Sequence, residues 1–536
     1  MNNKKINALL PLTIALALLF GIIIGMKFNN NDSAVFRGMK IFKSPNKITQ
    51  TLDFIKTSYV DTISGTRLEE DAIKGMLKNL DPHSQYIPAS DFSAINDPLE
   101  GSFSGIGVQF NKLYDTVVIV NTIPKGPSEK VGIMSGDRMI YVDGMPIAGV
   151  GMSTDDIVKK LKGETGTTVN VGILRRGNDE ILNFAITRDR IPLFSIDAAY
   201  IIAPTIGYIK VGKFSKTTFQ EFTEATDKLI AEGMQKLIID LRDNPGGLID
   251  GAVKMAEIFL PAESLIVYTE GDKRSRINYY SKNHKALDIK LVLLINENSA
   301  SASEIVAGAI QDNDRGTVIG RRSYGKGLVQ EQHPLIDGSV VRITVSRYYT
   351  PTGRCIQKPY NSNNLNDYFN EIDMRFVNGE MVQEDSVHFD NKLLYLTPAG
   401  KIVYGGGGIM PDIFVPIDTT IFTNYYKRVR GRGLSYYFAL DYIDKNRQEL
   451  NSIEDYKSME KYLLHHKILD QFIEFAAKVG LPKNNNDLKF SGEQIENLLM
   501  AYIARNILDD NRGYYPVLNQ KDNVVQKAVQ ELGIEN

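Results

Sequence analysis

The stretch ENSASASEIVAGA, residues 297–309, sets Ser299, Ser301 and Ser303 at alternate positions just before an apolar run with helical spacing. A serine here has two readings. Its oxygen can attack a carbonyl, with the free N–H groups of a helix start favouring the negative charge that develops. Alternatively it only begins the helix, since Ser301 followed three residues later by Glu304 fits a capping box. Local pattern chooses neither between these readings nor among the three serines. A nucleophilic serine needs a base, and no histidine lies in this segment or in two others that end strands, KLIIDLRDNPGG (236–247) and GRRSYGKGLVQEQ (320–332). The third segment offers Lys326 between Gly325 and Gly327, and a lysine becomes a base when burial pulls its pKa from about 10.4 toward neutrality. A Ser/Lys pair is one reading and an ordinary Gly-Lys-Gly surface turn the other. Gly246 and Gly247 would let a main-chain N–H approach a ligand closely. Cys355 lies in TPTGRCIQ (350–357), a turn leading into a strand with no histidine near it in sequence, so no thiol nucleophile is expected.

These segments need a scaffold that gathers strand ends. Between about Pro192 and Pro416 apolar strand runs alternate with helical patterns: IGYIKV, FQEFTEATDKLIAEG, KLIIDLR, LIDGAVKMAEIF, LVLLIN, ASEIVAGAIQD and GTVIG. That alternation predicts α/β architecture with a buried sheet, whose sites gather at the carboxyl ends of strands. Residues 101–190 differ, with short β-branched runs (TVVIV, MIYVDG, TVNVGILRRG) broken by Gly and Pro turns. They predict a small strand-rich domain with one helix, STDDIVKKLKG, capped by Ser153 or Thr154. In its FSGIGVQF stretch, Gly105 and Gly107 let the backbone turn sharply and aim successive N–H groups at an anion. Apolar residues at three- and four-residue intervals from Ile48 to Leu80 predict amphipathic helices. After Ile421 the chain reads as mostly helical, most clearly in LSYYFALDYIDK and around Met500 to Ile507.

A chain of 536 residues exceeds one compact core, so two to four domains are expected. With 62 basic against 64 acidic residues it carries no basic footprint, and no nucleic-acid partner is expected. The six histidines, His83, His284, His333, His388, His465 and His466, are scattered without HExxH or Cys/His spacing, so neither a metal nor a cofactor is expected. His465 and His466 are adjacent on a predicted helix and do not share a face; they read as surface or packing residues. A single cysteine excludes an intramolecular disulfide. The first residues, MNNKKINALLPLTIALALLFGIIIGMKF, place Lys4 and Lys5 ahead of an apolar run from about Ala8 to Met26. At 1.5 Å per residue that run reaches roughly the ~30 Å of a bilayer core, and the lysines keep the N-terminus cytoplasmic. The expectation is a signal anchor over 1–27 and a polar tether over 28–45. A cleaved signal peptide competes, but its apolar region is usually shorter and ends in a small-residue cleavage site that is not seen.

Seven motifs in sequence order carry a more specific signal: LDPHSQY (80–86), FSGIGV (103–108), GPSEKVGIMSGDRMIYVDGMPI (126–147), LIIDLRDNPGG (237–247), SASASEIVAGAIQD (299–312), GKGLVQ (325–330) and YYTPTGR (348–354) with GIMPDI (408–413). Over roughly residues 50–416 the chain resembles the carboxyl-terminal processing (tail-specific) serine proteases with a PDZ domain. The resemblance implies that Ser301, the middle serine, is the nucleophile, that Lys326, twenty-five residues on, is its base, and that Gln330 orients the lysine. It implies an oxyanion hole from the N–H groups of Gly247 and Ala302. For the PDZ-like domain it implies that a substrate's C-terminus adds as a strand. The carboxylate would be held by the loop of Ser104, Gly105, Ile106, Gly107 and Val108, with Ile106 and Val108 helping to line the side-chain pocket. His83 matches part of a family motif and is assigned to structure rather than catalysis.

The expected fold is multidomain α/β: a PDZ-like β-rich domain (96–190) inserted before an α/β, ClpP/crotonase-like serine protease core (191–420), with helical N-terminal (46–95) and C-terminal (421–536) regions. Residues 358–404 form an insertion between two family motifs. That insertion and the C-terminal region are candidates for partner binding or for contacts in a homo-oligomer. The leading functional expectation is a serine endopeptidase that takes protein or peptide substrates with free C-termini and cleaves envelope or exported proteins. It would be anchored once in the bacterial inner membrane, with its catalytic part in the periplasm. A catalytically silent PDZ scaffold is the alternative, against which the joint presence of Ser301, Lys326 and Gln330 speaks. An α/β enzyme using an oxyanion hole on a thioester would have no use for a PDZ-like domain.

Overall fold

A computed structural model describes residues 15–22, 46–113, 115–361, 364–387 and 391–533. The expected tether, most of the expected anchor and His388 lie outside the described residues. Among those described, no helix is long and apolar enough to cross a membrane. The chain divides into two units, 1–73 and 74–536. The first holds the helix Lys47–Ser58, begun by the Asn46 side chain accepting the Thr49 N–H, and most of the helix Gly65–Leu77. Lys56 and Glu69 pair at 2.7 Å between them.

The second unit contains the PDZ-like domain as an antiparallel sheet in the order Val108–Leu113, Thr116–Thr122, Arg138–Val142, Thr168–Leu174, Ile181–Thr187. The expected helix is Thr154–Leu161, and Ser153 caps it by accepting the Asp156 N–H at 3.1 Å. Ile157 and Leu161 come four apart onto one face and join Val117, Ile119, Met139 and Val171 in the domain's core. The domain enters and leaves through a paired two-strand stem, Ser102–Gly105 against Asp189–Pro192.

The protease-like core is built on a six-stranded sheet in the order Ile196–Ala203, Ile206–Val211, Lys236–Asp240, Lys290–Ile295, Thr317–Gly320, Ile413–Phe414. The first pair is antiparallel and the rest are parallel. Near-continuous apolar strands place alternate residues on opposite faces, so both faces must be covered. Leu237 and Ile239 face one core, with Phe222, Met255, Ile305 and Val306 from three helices. Ile238 faces the other, with Val292, Leu294 and Ile319. That second face is closed by Val524, Val525, Ala528 and Leu532 of the helix Asn523–Gly533. The end of the expected C-terminal extension therefore completes the α/β layer. The rest of it packs as a helical bundle around Phe438, Phe472 and Leu499, and touches the PDZ-like domain through an Arg138–Asp444 ion pair at 3.1 Å. His465 and His466 end one of its helices on the surface.

A second sheet has the strand order Gln85–Ile87, Val340–Tyr349, Leu265–Gly271, Arg274–Tyr280, with Leu328–Pro334 also paired to Val340–Tyr349. LDPHSQY thus leads into a strand of the core, where periodicity alone had placed it at the end of a helical region. The helix Ala89–Glu100 follows. The insertion contributes the helix Leu365–Val377 and the hairpin Leu394–Leu396 with Ile402–Tyr404.

Candidate active site

Three strand ends of the main sheet deliver the site. Lys290–Ile295 leads through ENSAS into the helix Ala302–Asp312, all eleven residues of which are buried. Ser301 is its N-cap, with φ 54° and ψ −111°. A positive φ in a non-glycine residue stores strain of about 1–3 kcal/mol and marks a position the surroundings impose. The backbone arm of the capping box is present, the Ser301 N–H donating to Glu304 Oε2 at 2.8 Å. The neighbouring serines are committed elsewhere: Ser299 Oγ donates to Leu241 O at 2.8 Å, Ser303 Oγ donates to Asn244 O at 3.0 Å, and both side chains are fully buried. Ser301 alone of the three lines a cavity of about 460 Å³.

The same cavity is lined by Gly246, Gly247, Ala302, Lys326, Gln330 and Arg342. Gly246 has φ 94°, and a Cβ there would meet Ala300 O at 2.6 Å and Ser301 Cβ at 2.8 Å, so only glycine lets the two strand ends close on each other. Phe214 pins the turn by donating to Gly246 O and accepting the Leu248 N–H, both at 2.9 Å. Asn244, wholly buried, accepts the Gly246 N–H at 2.8 Å and through its carbonyl accepts the Ala300 N–H at 3.0 Å. Among the described residues, the N–H groups of Gly247 and of Ala302 have no protein acceptor.

Lys326 Nζ donates to Gln330 Oε1 at 3.1 Å. Burial first, and then the Arg342 guanidinium, hold its amine below the ordinary lysine value, against the opposing pull of Glu304 and Asp81. Ser301 Oγ and Lys326 Nζ line the same cavity without a hydrogen bond between them. Tyr348 ties the two segments together, its hydroxyl lying 2.6 Å from Lys326 O and 3.1 Å from Ser301 O. His83 hydrogen-bonds Tyr368 at 2.9 Å, and burial, with the Lys326 charge next, lowers its pKa to about 4, so it stays neutral. Cys355 is a free thiol whose pKa burial raises. Among the described residues no group of side chains could hold a metal ion.

The PDZ-like residues are separate from this cavity. Ser104 and Gly105 belong to the stem, Gly107 turns with φ 71°, and Val108 begins the first sheet strand. Ile106 points into the domain's core at 2 % exposure, its carbonyl accepting the Ser128 N–H at 3.1 Å and the Ser128 hydroxyl at 2.6 Å. Reading of the sequence assigns no role to Tyr348, Asn244 or Arg342. The first two lie inside quoted motifs, YYTPTGR and DNPGG, and Arg342 carried no local signal.

The model of peptidase family S41 matches residues 205–362 and that of the PDZ domain residues 104–186. A carboxy-terminal-processing protease of Bartonella bacilliformis is 35% identical over 322 residues, covering 59% of this chain and 73% of that one. The chain belongs to peptidase family S41. This S41 peptidase is also similar to a probable CtpA-like serine protease of Staphylococcus haemolyticus, 36% identical over 313 residues, 58% of this chain and 62% of that one. Among solved structures, the photosystem II D1 C-terminal processing protease is 28% identical, covering 58% of this chain and 89% of that one, with a TM-score of 0.34. Residues 25–90 match the N-terminal domain of the activating protease CtpB, and residues 425–509 a family of unknown function.

Proposed function

We propose that this chain is a serine endopeptidase in which Ser301 and Lys326 form the dyad and Gln330 orients the amine. Neutral Lys326 takes the Ser301 proton, the alkoxide attacks a peptide carbonyl, and the oxyanion rests on the N–H groups of Gly247 and Ala302. Lys326 then returns the proton to the leaving amine, and water hydrolyses the acyl-enzyme. The observation that carries the reading is one cavity lined by a strained, capping Ser301, a half-buried lysine whose pKa is held below its ordinary value and two main-chain donors without protein acceptors. The PDZ domain recruits substrate C-termini at the turn around Gly105 and Gly107. The N-terminal apolar run anchors the protein in the inner membrane, and its substrates are envelope or exported proteins. Proteolysis of an unstructured protein with an apolar C-terminus tests the dyad. Ser301→Ala and Lys326→Ala are expected to lose cleavage, and equal cutting by wild type and Ser301→Ala would overturn the assignment.

A further inference from the structure

The loop carrying Lys326 has nothing regular to hold it, yet from Ser323 to Gly327 every main-chain group is bonded. The N–H of Ser323 goes to Ile409 O and that of Tyr324 to Ser299 O, both at 3.0 Å. The N–H groups of Gly325 and Lys326 both go to Glu304, at 2.7 and 2.9 Å, and the Ser323 hydroxyl joins them at 2.5 Å. Gln357 Oε1 accepts the Gly327 N–H at 2.8 Å. On the carbonyl side, Lys358 N–H takes Gly325 O, and Tyr348 takes Lys326 O with its hydroxyl and Gly327 O with its N–H. The two remaining carbonyls go to one side chain. Arg375 Nη1 donates to Ser323 O at 2.7 Å and Nη2 to Tyr324 O at 3.1 Å.

Arg375 belongs to the helix Leu365–Val377 of the insertion, outside every motif that carries the family resemblance. It is 3 % exposed, and its Nε is paired with Glu371 at 2.6 Å. Glu371 and Glu380 also hold Arg322, and Glu371 holds Lys358. A planar guanidinium fixed by a carboxylate on one edge presents two parallel N–H donors on the other. Two successive carbonyls are what such a fork fits.

We infer that the insertion is a positioning element for the catalytic base, with Arg375 gripping the carbonyls of the Lys326 loop opposite Glu304, which grips its N–H groups. This rests on the Ser301/Lys326 reading. Arg375 touches neither substrate nor the reacting atoms; it acts through the loop. The charged groups around the amine itself are Arg342 from the Val340–Tyr349 strand, Glu304 from the helix Ala302–Asp312 and Asp81 from the segment before Gln85–Ile87, which also brings up the neutral, titratable His83. A loosened loop lets water reach the amine, so its pKa returns toward the ordinary lysine value.

The experiment compares full-length wild type, Arg375→Met, Arg375→Lys and Ser301→Ala in kcat, KM and the pH profile of kcat/KM, with thermal unfolding alongside. Displacement of a reacting group by about 1 Å costs on the order of 10²-fold. Arg375→Met is expected to lose kcat on that scale at unchanged KM and to move the acid limb to higher pH, while Arg375→Lys recovers part of both. A residue that only stabilised the fold would lower the unfolding temperature and leave kcat and the limb of the folded protein unmoved. If Arg375→Met does not fold, Arg375→Lys decides by the same two readouts. Wild-type kcat and limb in the folded variants, with Ser301→Ala inactive, overturn the clamp alone. An active Ser301→Ala overturns the dyad and the clamp with it.

Discussion

Gly247→Ala isolates the main-chain half of the site. Gly247 has φ 144°, and a Cβ added there would lie 1.9 Å from Phe214 O and 2.8 Å from Phe214 C. Those atoms are backbone, so no rotamer relieves the overlap, and ordinary contact lies near 3.5 Å. The Phe214 carbonyl must retreat, which breaks its hydrogen bond from the Leu248 N–H and strains the one from Phe214 N–H to Gly246 O, both 2.9 Å. These bonds aim the Gly247 N–H, so the substitution keeps the donor and spoils its direction. Full loss of one oxyanion donor costs about 2.7–4 kcal/mol, or about 10²–10³ in kcat, and misdirection is expected toward the lower end. The assay is kcat and KM on an unstructured protein with an apolar C-terminus. Thermal unfolding and C-terminal peptide binding are measured on the same preparation, since residues 104–186 form a separate domain. A variant that folds, binds peptide and keeps wild-type kcat refutes the role given to this N–H.

On the proposed mechanism the neutral amine is the active form, and kcat/KM is then expected to rise with pH through the lowered Lys326 pKa. Arg342→Leu removes a positive charge that disfavours the protonated amine, so the acid limb should move to higher pH; an unmoved limb excludes Arg342 as a source of the shift. His83 titrates at about 4 in the folded chain against 6.5 unfolded, so as pH falls from 6.5 the unfolded state takes up a proton the native state refuses. Stability is expected to decline across that window by up to about 3 kcal/mol; urea unfolding at pH 7 and pH 4.5 should show a smaller decline in His83→Gln, and an identical decline assigns the loss to other groups. Truncation after Gln520 uncovers the sheet face of Tyr208, Ile238, Val292 and Leu294 and is expected to give aggregated protein. A monodisperse truncated chain with wild-type unfolding would show that the last helix does not complete the core.

The α/β core was legible because its strands are apolar enough to require cover on both faces, and its helices follow at regular spacing. What covers one face was not legible. Val524, Val525, Ala528 and Leu532 have the periodicity of any amphipathic helix, and nothing local says that their partners lie roughly 200 to 300 residues earlier in the chain. LDPHSQY was misplaced for a related reason, since a three-residue strand, Gln85–Ile87, has no period of its own and is defined by its pairing with Val340–Arg342. Within the site, sequence showed the serines, Gly246, Gly247 and Lys326, because each sits in a motif of unusual composition. It could not show Arg375, whose importance comes from the two carbonyls it meets and not from its neighbours along the helix.

Glu304 shows why the capping reading and the catalytic reading of ENSASASE are compatible. Four donors converge on this buried carboxylate: the N–H groups of Ser301, Gly325 and Lys326 and the Ser323 hydroxyl. The Ser323 oxygen in turn accepts the Ile409 N–H at 2.6 Å, so its hydrogen must point at Glu304. Burial raises the Glu304 pKa, yet a protonated carboxyl would have to turn an O–H toward one of four donors, and the geometry therefore favours the ionised form. That charge opposes a neutral Lys326, since it favours the protonated amine. On the proposed reading the carboxylate thus works against the base electrostatically and for it geometrically, joining the cap of one helix to the loop of the lysine. Burial and Arg342 outweigh its charge, which is how one residue can begin the helix, tie the Ser301 turn to the Lys326 loop, and still leave the amine below its ordinary pKa.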